Sequence, residues 1–154
     1  MRVHDLMTPA PITCTTSDSA HTAAQIMWEH DCGIVPVEDQ NRRVVGVITD
    51  RDISMAAYLQ AVPLAQIPVE SCMTHGLYIC HPDDDVAKAE RLMSERQVHR
   101  IPVVDTNGRL VGIVSVGDIA RQFSRHLASQ GANYLAEEYV QTMAAISRHR
   151  QHER

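Results

Sequence analysis

Two short stretches carry residue types that suit a ligand bearing a phosphate or a ribose. Gly46, Thr49 and Asp52 stand in the order Gly-x-x-Thr-x-x-Asp, and Gly112, Ser115 and Asp118 repeat it as Gly-x-x-Ser-x-x-Asp. Both lie where an apolar, strand-like run gives way to a helical pattern. The first turn of a helix exposes unpaired backbone N–H groups and the positive end of the helix dipole, so anions bind there. A Thr or Ser hydroxyl at that point can donate to a phosphate oxygen. A carboxylate one turn later can accept two hydrogen bonds from a ribose diol. Glycine ahead of the turn is expected to keep a side chain out of the ligand's way. The same spacing is also a helix-capping box, in which hydroxyl and acid satisfy backbone amides reciprocally. Recurrence in register with other repeated features favours the ligand reading.

Other candidates distinguish the two stretches. His99 and Arg100 precede the apolar run Ile101-Pro102-Val103-Val104, and a guanidinium matches phosphate oxygens in bidentate fashion. The first copy has Gly33 and Ile34 there and instead places Arg51 inside its motif, where the second has Gly117. No P-loop, Gly-x-Ser-x-Gly or His-Glu-x-x-His is present, so the chain does not read as an enzyme. The nine histidines are dispersed; His4, His75, His81 and His99 leave a metal site as an alternative. Cys14, Cys32, Cys72 and Cys80 form no Cys-x-x-Cys pair and read as free, semi-buried thiols.

The elements that position these residues occur twice. Positions 3–53 match positions 69–119 without gaps at 17 of 51 sites, among them Met7-Thr8 with Met73-Thr74 and Pro36-Val37 with Pro102-Val103. Each copy reads as strand, helix, strand, strand, helix. The first strands are Ile12–Thr15 and Tyr78–Cys80, with Asp18 and Asp84 as helix N-caps. Apolar residues at helical spacing follow: Ala20, Ala23, Ala24 and Met27 in one copy, Val86, Ala89, Leu92 and Met93 in the other. Hairpins come next, Ile34–Val37 with Val44–Ile48 and Ile101–Val104 with Leu110–Val114, the second marked by Asn107-Gly108. The closing helices start near Thr49 and Ser115. The domains expected are 1–59 and 69–128, joined by a linker at 60–68 that holds Pro63 and Pro68. A tail at 129–154 comes last: Gly131 closes the last helix of copy two, and a further helix runs from about Asn133 to Arg148, with Leu135, Tyr139, Met143 and Ile146 on one face.

Composition limits the partners. The net charge is −5 and hydrophobic residues make up 44%, which suits a folded domain pair with an aliphatic core. It argues against nucleic acid, which needs a basic stripe. The basic cluster Arg148, His149, Arg150, His152 and Arg154 reads as a solvated helix end. No apolar leader or membrane-length run is visible, so the expectation is a cytoplasmic protein.

The ordered set of motifs resembles the CBS domain, present twice as a Bateman module over about residues 1–128. Copy two carries it in His99-Arg100-Ile101-Pro102-Val103-Val104-Asp105 and Gly112-Ile113-Val114-Ser115-Val116-Gly117-Asp118-Ile119. Copy one carries it in Met7-Thr8-Pro9, Val35-Pro36-Val37 and Gly46-Val47-Ile48-Thr49-Asp50-Arg51-Asp52-Ile53. The resemblance implies an α+β fold: two β-α-β-β-α repeats packed about a pseudo-twofold axis, plus a C-terminal helix. It implies a regulatory module that binds AMP, ADP or ATP, with no prosthetic group, and acts on a separate partner protein. Thr49 and Asp52, and Ser115 and Asp118, would hold phosphate and ribose, aided by His99 and Arg100; Arg51, read from its place in the motif, could serve a phosphate or face solvent. Thr8, Pro11 and Ile12 would frame adenine beside Ser115, and Thr74, Gly76 and Tyr78 beside Thr49. A homodimer is also implied. S-adenosylmethionine or NAD(H) binding, or a ligand-free dimerisation role, stand as alternatives.

Overall fold

A computed structural model describes residues 1–122, 141–143 and 146. In chain order the strands are β1 (Thr8–Pro9), β2 (Cys14–Thr15), β3 (Ile34–Glu38), β4 (Val44–Thr49), β5 (Thr74–His75), β6 (Arg100–Val104) and β7 (Leu110–Ser115). The helices are α1 (Ala20–Glu29), α2 (Asp50–Gln60), the single turn α3 (Val69–Cys72), α4 (Val86–Arg96) and a helix at residues 116–122. The fold is mixed α+β, and both copies run strand, helix, strand, strand, helix. No helix among the described residues is long and apolar enough to cross a membrane.

The chain divides into two compact units. The first comprises Ala10–Leu77 with the turn Asp105–Leu110, and the second comprises Met1–Pro9, Tyr78–Val104 and Val111–Arg154. Each is therefore built from the body of one repeat and the leading segment of the other. In the first unit the sheet order is β2-β3-β4-β5, with β2 parallel to β3 and the remaining pairs antiparallel. In the second the order is β1-β7-β6, with β1 antiparallel to β7.

The same backbone bonds anchor both leading segments. Val69 N–H donates to Asp18 O (2.8 Å), and Val3 N–H donates to Asp84 O (2.9 Å). Val69 and Val3 are fully buried in their respective cores. The first core packs Ala20, Ala23 and Met27 of α1 against Val35, Val37 and Ile48 of the sheet. The second packs Val86, Ala89 and Met93 of α4 against Ile101, Val103 and Val114, and Ile146 joins it. Met143 packs on that core too, as the expected tail face requires; Gly131, Leu135 and Tyr139 lie outside the described residues.

Three expectations need correction. The helix N-caps are Ser19 and Asp85, which accept from Thr22 N–H and Ala87 N–H. Asp18 and Asp84, one residue earlier, tie the preceding turn by accepting from Thr15 N–H (2.7 Å) and His81 N–H (2.8 Å). Two capping residues stand in a row, and the one that ends in extended backbone takes the cap. The opening strands are also shorter than expected. Only Cys14–Thr15 pairs in one copy, because Pro11 supplies no amide and Ile12 is exposed. Of Tyr78–Cys80 only Cys80 bridges, to Val103.

The third correction concerns Gly46 and Gly112, which do not clear a path for a ligand. A Cβ on Gly112 would collide with Met7 Sδ and stand 3.2 Å from Thr8 O. One on Gly46 would stand 2.8 Å from Thr74 O and 3.1 Å from Met73 Cε. Both glycines admit the leading segment of the other repeat. Overpacking of this kind costs about 1–3 kcal/mol, so Gly112→Ala is expected to lose that much stability in urea titration, and Gly46→Ala a similar amount. A neutral result at both sites would show that the leading segments are loosely held.

Candidate functional site

Each motif begins on the outer face of its sheet. In β7 Gly112 and the side chain of Val114 lie on the core side, and Ile113 and Ser115 face away from it. Thr8 pairs with Ile113, so Thr8, Ile113 and Ser115 share one face. The first unit repeats this, with Thr74 paired to Val47, two residues before Thr49. A threonine from one repeat thus shares a face with the hydroxyl that starts the other repeat's helix.

The hydroxyl and the acid are locked together in both copies. Thr49 Oγ1 donates to Asp52 Oδ2 (2.7 Å), Thr49 N–H donates to the same oxygen (2.9 Å), and Asp52 N–H donates back to Oγ1 (3.1 Å). In the second unit Ser115 N–H and Oγ donate to Asp118 Oδ2 at 2.8 and 2.5 Å, and Asp118 N–H returns a bond to Oγ at 3.1 Å. This is the capping box that the spacing allowed as its structural meaning. Each hydroxyl thus gives its single proton to the carboxylate rather than holding it for a phosphate, as the sequence had suggested, and keeps one lone pair; Asp52 Oδ1 has no partner among the described residues, while Asp118 Oδ1 holds Arg121. Asp118 is buried and Asp52 half-buried.

The remaining candidates divide between the units. His99 O accepts from Val116 N–H (3.0 Å), which sets the start of β6 beside the helix at 116–122. Gly33 O holds Asp50 N–H the same way at 3.2 Å. His99 and Arg100 are exposed, and neither side chain has a hydrogen-bond or ion-pair partner among the described residues. Arg51 is equally exposed and unpaired there. Pro11, Ile12, Thr74 and Gly76 belong to the first unit with Thr49 and Asp52, while Tyr78 belongs to the second with Ser115. Arg96 stacks 4.7 Å from the Tyr78 ring centroid. His75 belongs to the first unit and His4, His81 and His99 to the second. Among the described residues no three His, Cys, Asp or Glu side chains gather as a cation site.

Sequence reasoning missed two features. Arg121 pairs with Asp118 through Nη2; a lone arginine on a helix gives no sign of this. An open groove between α1 and α2 is lined by Ala24, Met27, Trp28, Cys32, Asp50, Ile53 and Ser54. None of the expected ligand residues lines it. Trp28 is 88% exposed at its edge.

Two stretches of the sequence, residues 3–58 and 69–125, each match the CBS domain. The chain belongs to the CBS-domain family. It is 33% identical over 139 residues to the CBS domain-containing protein YhcV of Bacillus subtilis, covering 90% of this chain and 97% of that one. It spans only 23% of the length of two enzyme relatives. Among solved structures, it is similar to the CBS domain pair of protein MJ0100 in complex with 5-methylthioadenosine and S-adenosyl-L-methionine. The TM-score is 0.74 and the identity 32%, over 82% of this chain and 98% of that one. It is also similar to CBSX2 in complex with AMP, with a TM-score of 0.71 and 29% identity over 80% and 96% of the two chains.

The four cysteines of this CBS pair are free, and the two buried ones, Cys14 and Cys80, are poorly suited to nucleophilic chemistry. Burial, helped by the charge of Asp18, pushes the Cys14 thiol up to about 12. Burial, helped by Asp84, pushes Cys80 up to about 11. A raised thiol value favours the protonated folded state. That stability is fully present below the ordinary value of 9.0 and is lost as pH rises from there towards 11 and 12. Denaturant midpoints measured from pH 8 to 11 should fall, and the Cys14→Ala, Cys80→Ala protein should fall less steeply. Equal slopes would remove the thiols from the account.

Proposed function

We propose that this CBS pair is a non-catalytic regulatory module that binds an adenine nucleotide, AMP, ADP or ATP, and signals its occupancy to a separate protein in the cytoplasm. The observation that carries the reading is the duplicated face on which a threonine from one repeat meets the Ser/Thr–Asp pair of the other. Hydroxyl and carboxylate together suit a ribose phosphate, and the AMP bound by CBSX2 supports that chemistry. Thr8, His99, Arg100, Ser115 and Asp118 form the phosphate-suited set in the second unit. Thr49, Arg51, Asp52, Thr74 and Gly76 form the first unit's set, with Pro11 and Ile12 in the same unit, while Tyr78 stands in the second unit with Ser115.

A second reading is favoured at Thr49. That site lacks the His-Arg pair, and the thioadenosyl ligands of the MJ0100 pair carry no phosphate. Titration calorimetry and thermal shift with AMP, ATP and S-adenosylmethionine separate the readings. A ligand at 100 times its Kd should add about 2.7 kcal/mol of stability, and Asp118→Asn should weaken AMP binding by about tenfold or more. Absence of heat and of any shift with all three ligands would leave only an interaction role.

The partner chemistry includes a second copy of this chain. Met55, Tyr58 and Leu59 lie three and four residues apart on one side of α2, with exposures of 44%, 78% and 72%. With Trp28 they make an apolar surface of the kind that marks an interface. Trp28→Glu is expected to convert a dimer to monomer in sedimentation at micromolar concentration. A wild-type protein that already sediments as a monomer would rule this surface out as a self-contact.

A further inference from the structure

The two carboxylates at the heart of the duplicated site are not in the same state. Asp118 has both oxygens engaged: Oδ2 holds the Ser115 amide and hydroxyl, and Oδ1 holds Arg121 Nη2. The Asp118 side chain is 7% exposed and that of Arg121 is 66% exposed, so a solvent-facing cation lids a buried acid. The guanidinium lies back over Gly117, where a Cβ would stand 3.6 Å from Nη1. In the first unit the equivalents of Gly117, Asp118 and Arg121 are Arg51, Asp52 and Met55. Asp52 Oδ2 makes the same capping bonds, but its Oδ1 has no partner among the described residues. The first unit thus has an open carboxylate oxygen and no cation upon it.

We propose that Arg121 is the residue that makes the second unit's site selective for anionic ligands. The proposal rests on the nucleotide reading above and deepens it. An uncharged nucleoside reaching for Asp118 must displace the guanidinium and gives it nothing in return, so a strong charge-assisted bond is lost. A ligand that brings a phosphate lets the two groups exchange partners: the diol takes Asp118 Oδ1, and Arg121 turns to the phosphate oxygens, which suit its planar fork. At Asp52 no bond has to break, so an uncharged adenosyl ligand is accepted there. Met55 against Arg121 thereby joins Gly33-Ile34 against His99-Arg100 in dividing the duplicated sites into one for uncharged and one for phosphorylated ligands.

The test is calorimetry of AMP and adenosine on an Asp52→Asn protein, which leaves the second unit's site to report. With Arg121 present, AMP is expected to bind at least about tenfold more tightly than adenosine. Adding Arg121→Met should abolish that preference by weakening AMP about tenfold, while adenosine holds or tightens because Asp118 Oδ1 is freed. Arg121→Lys should keep part of it. Circular dichroism would check that the fold survives, as the exposure of Arg121 leads us to expect. An Arg121→Met protein in which AMP and adenosine weaken in the same proportion, or in which AMP is unchanged, overturns the role of Arg121 and leaves the nucleotide reading standing. If the Asp52→Asn protein with Arg121 intact binds neither ligand, both fall together.

Discussion

The structure depends on the crossing of each repeat's leading segment into the sheet of the other. A valine amide, from Val3 or Val69, bonds to the carbonyl of Asp84 or Asp18 in the turn before the other copy's helix. A methionine, Met7 or Met73, then lies against a glycine of the other copy's motif strand. These contacts complete both cores, since Val3 and Val69 are fully buried. They also deliver Thr8 and Thr74 to the faces that carry Ser115 and Thr49. Fold and candidate site therefore share one set of bonds.

The capping box shows how a structural device and a binding device occupy the same atoms. Ser115 and Thr49 end a strand and begin a helix, so their hydroxyls must face the helix amides. That geometry holds the carboxylates of Asp118 and Asp52 in fixed positions at the edge of solvent. A site assembled from residues whose rotamers are already fixed loses little conformational freedom on binding. Sequence divergence around this frame is then free to tune each copy, as Arg121 and Met55 do.

Much of this was legible in the sequence, and the failures have physical causes. The hairpins were plain because Asn107-Gly108 sits at a turn that needs positive φ: Gly108 adopts +78°, and its counterpart Arg42 accepts +61°. The helix faces were plain because Ala20, Ala23 and Met27 obey one period and are all buried. The two-residue strands Thr8–Pro9 and Thr74–His75 were hidden, because they are exposed and held by backbone bonds that leave no side-chain pattern. The motif glycines were misread for a related reason. Sequence shows that a side chain is unwelcome at Gly112, but not whether a ligand or Met7 excludes it. Arg121 gave no sign because an arginine three residues after an acid is ordinary on any helix surface.

The crossed leading segments bear on how such a chain arises. With this pairing, a chain holding only one repeat has no second copy to supply its outermost strand or to fill the place of Val3 or Val69. Two such chains could satisfy each other only by trading arms, a mutual exchange between separate molecules. Gene duplication and fusion would turn that exchange into an intramolecular event, governed by an effective concentration that no longer depends on how much protein is present. Each half would then be free to lose the symmetry its ancestor was bound to keep, and the divergence of Trp28 from Ser94 and of Met55 from Arg121 is the kind of change that freedom permits.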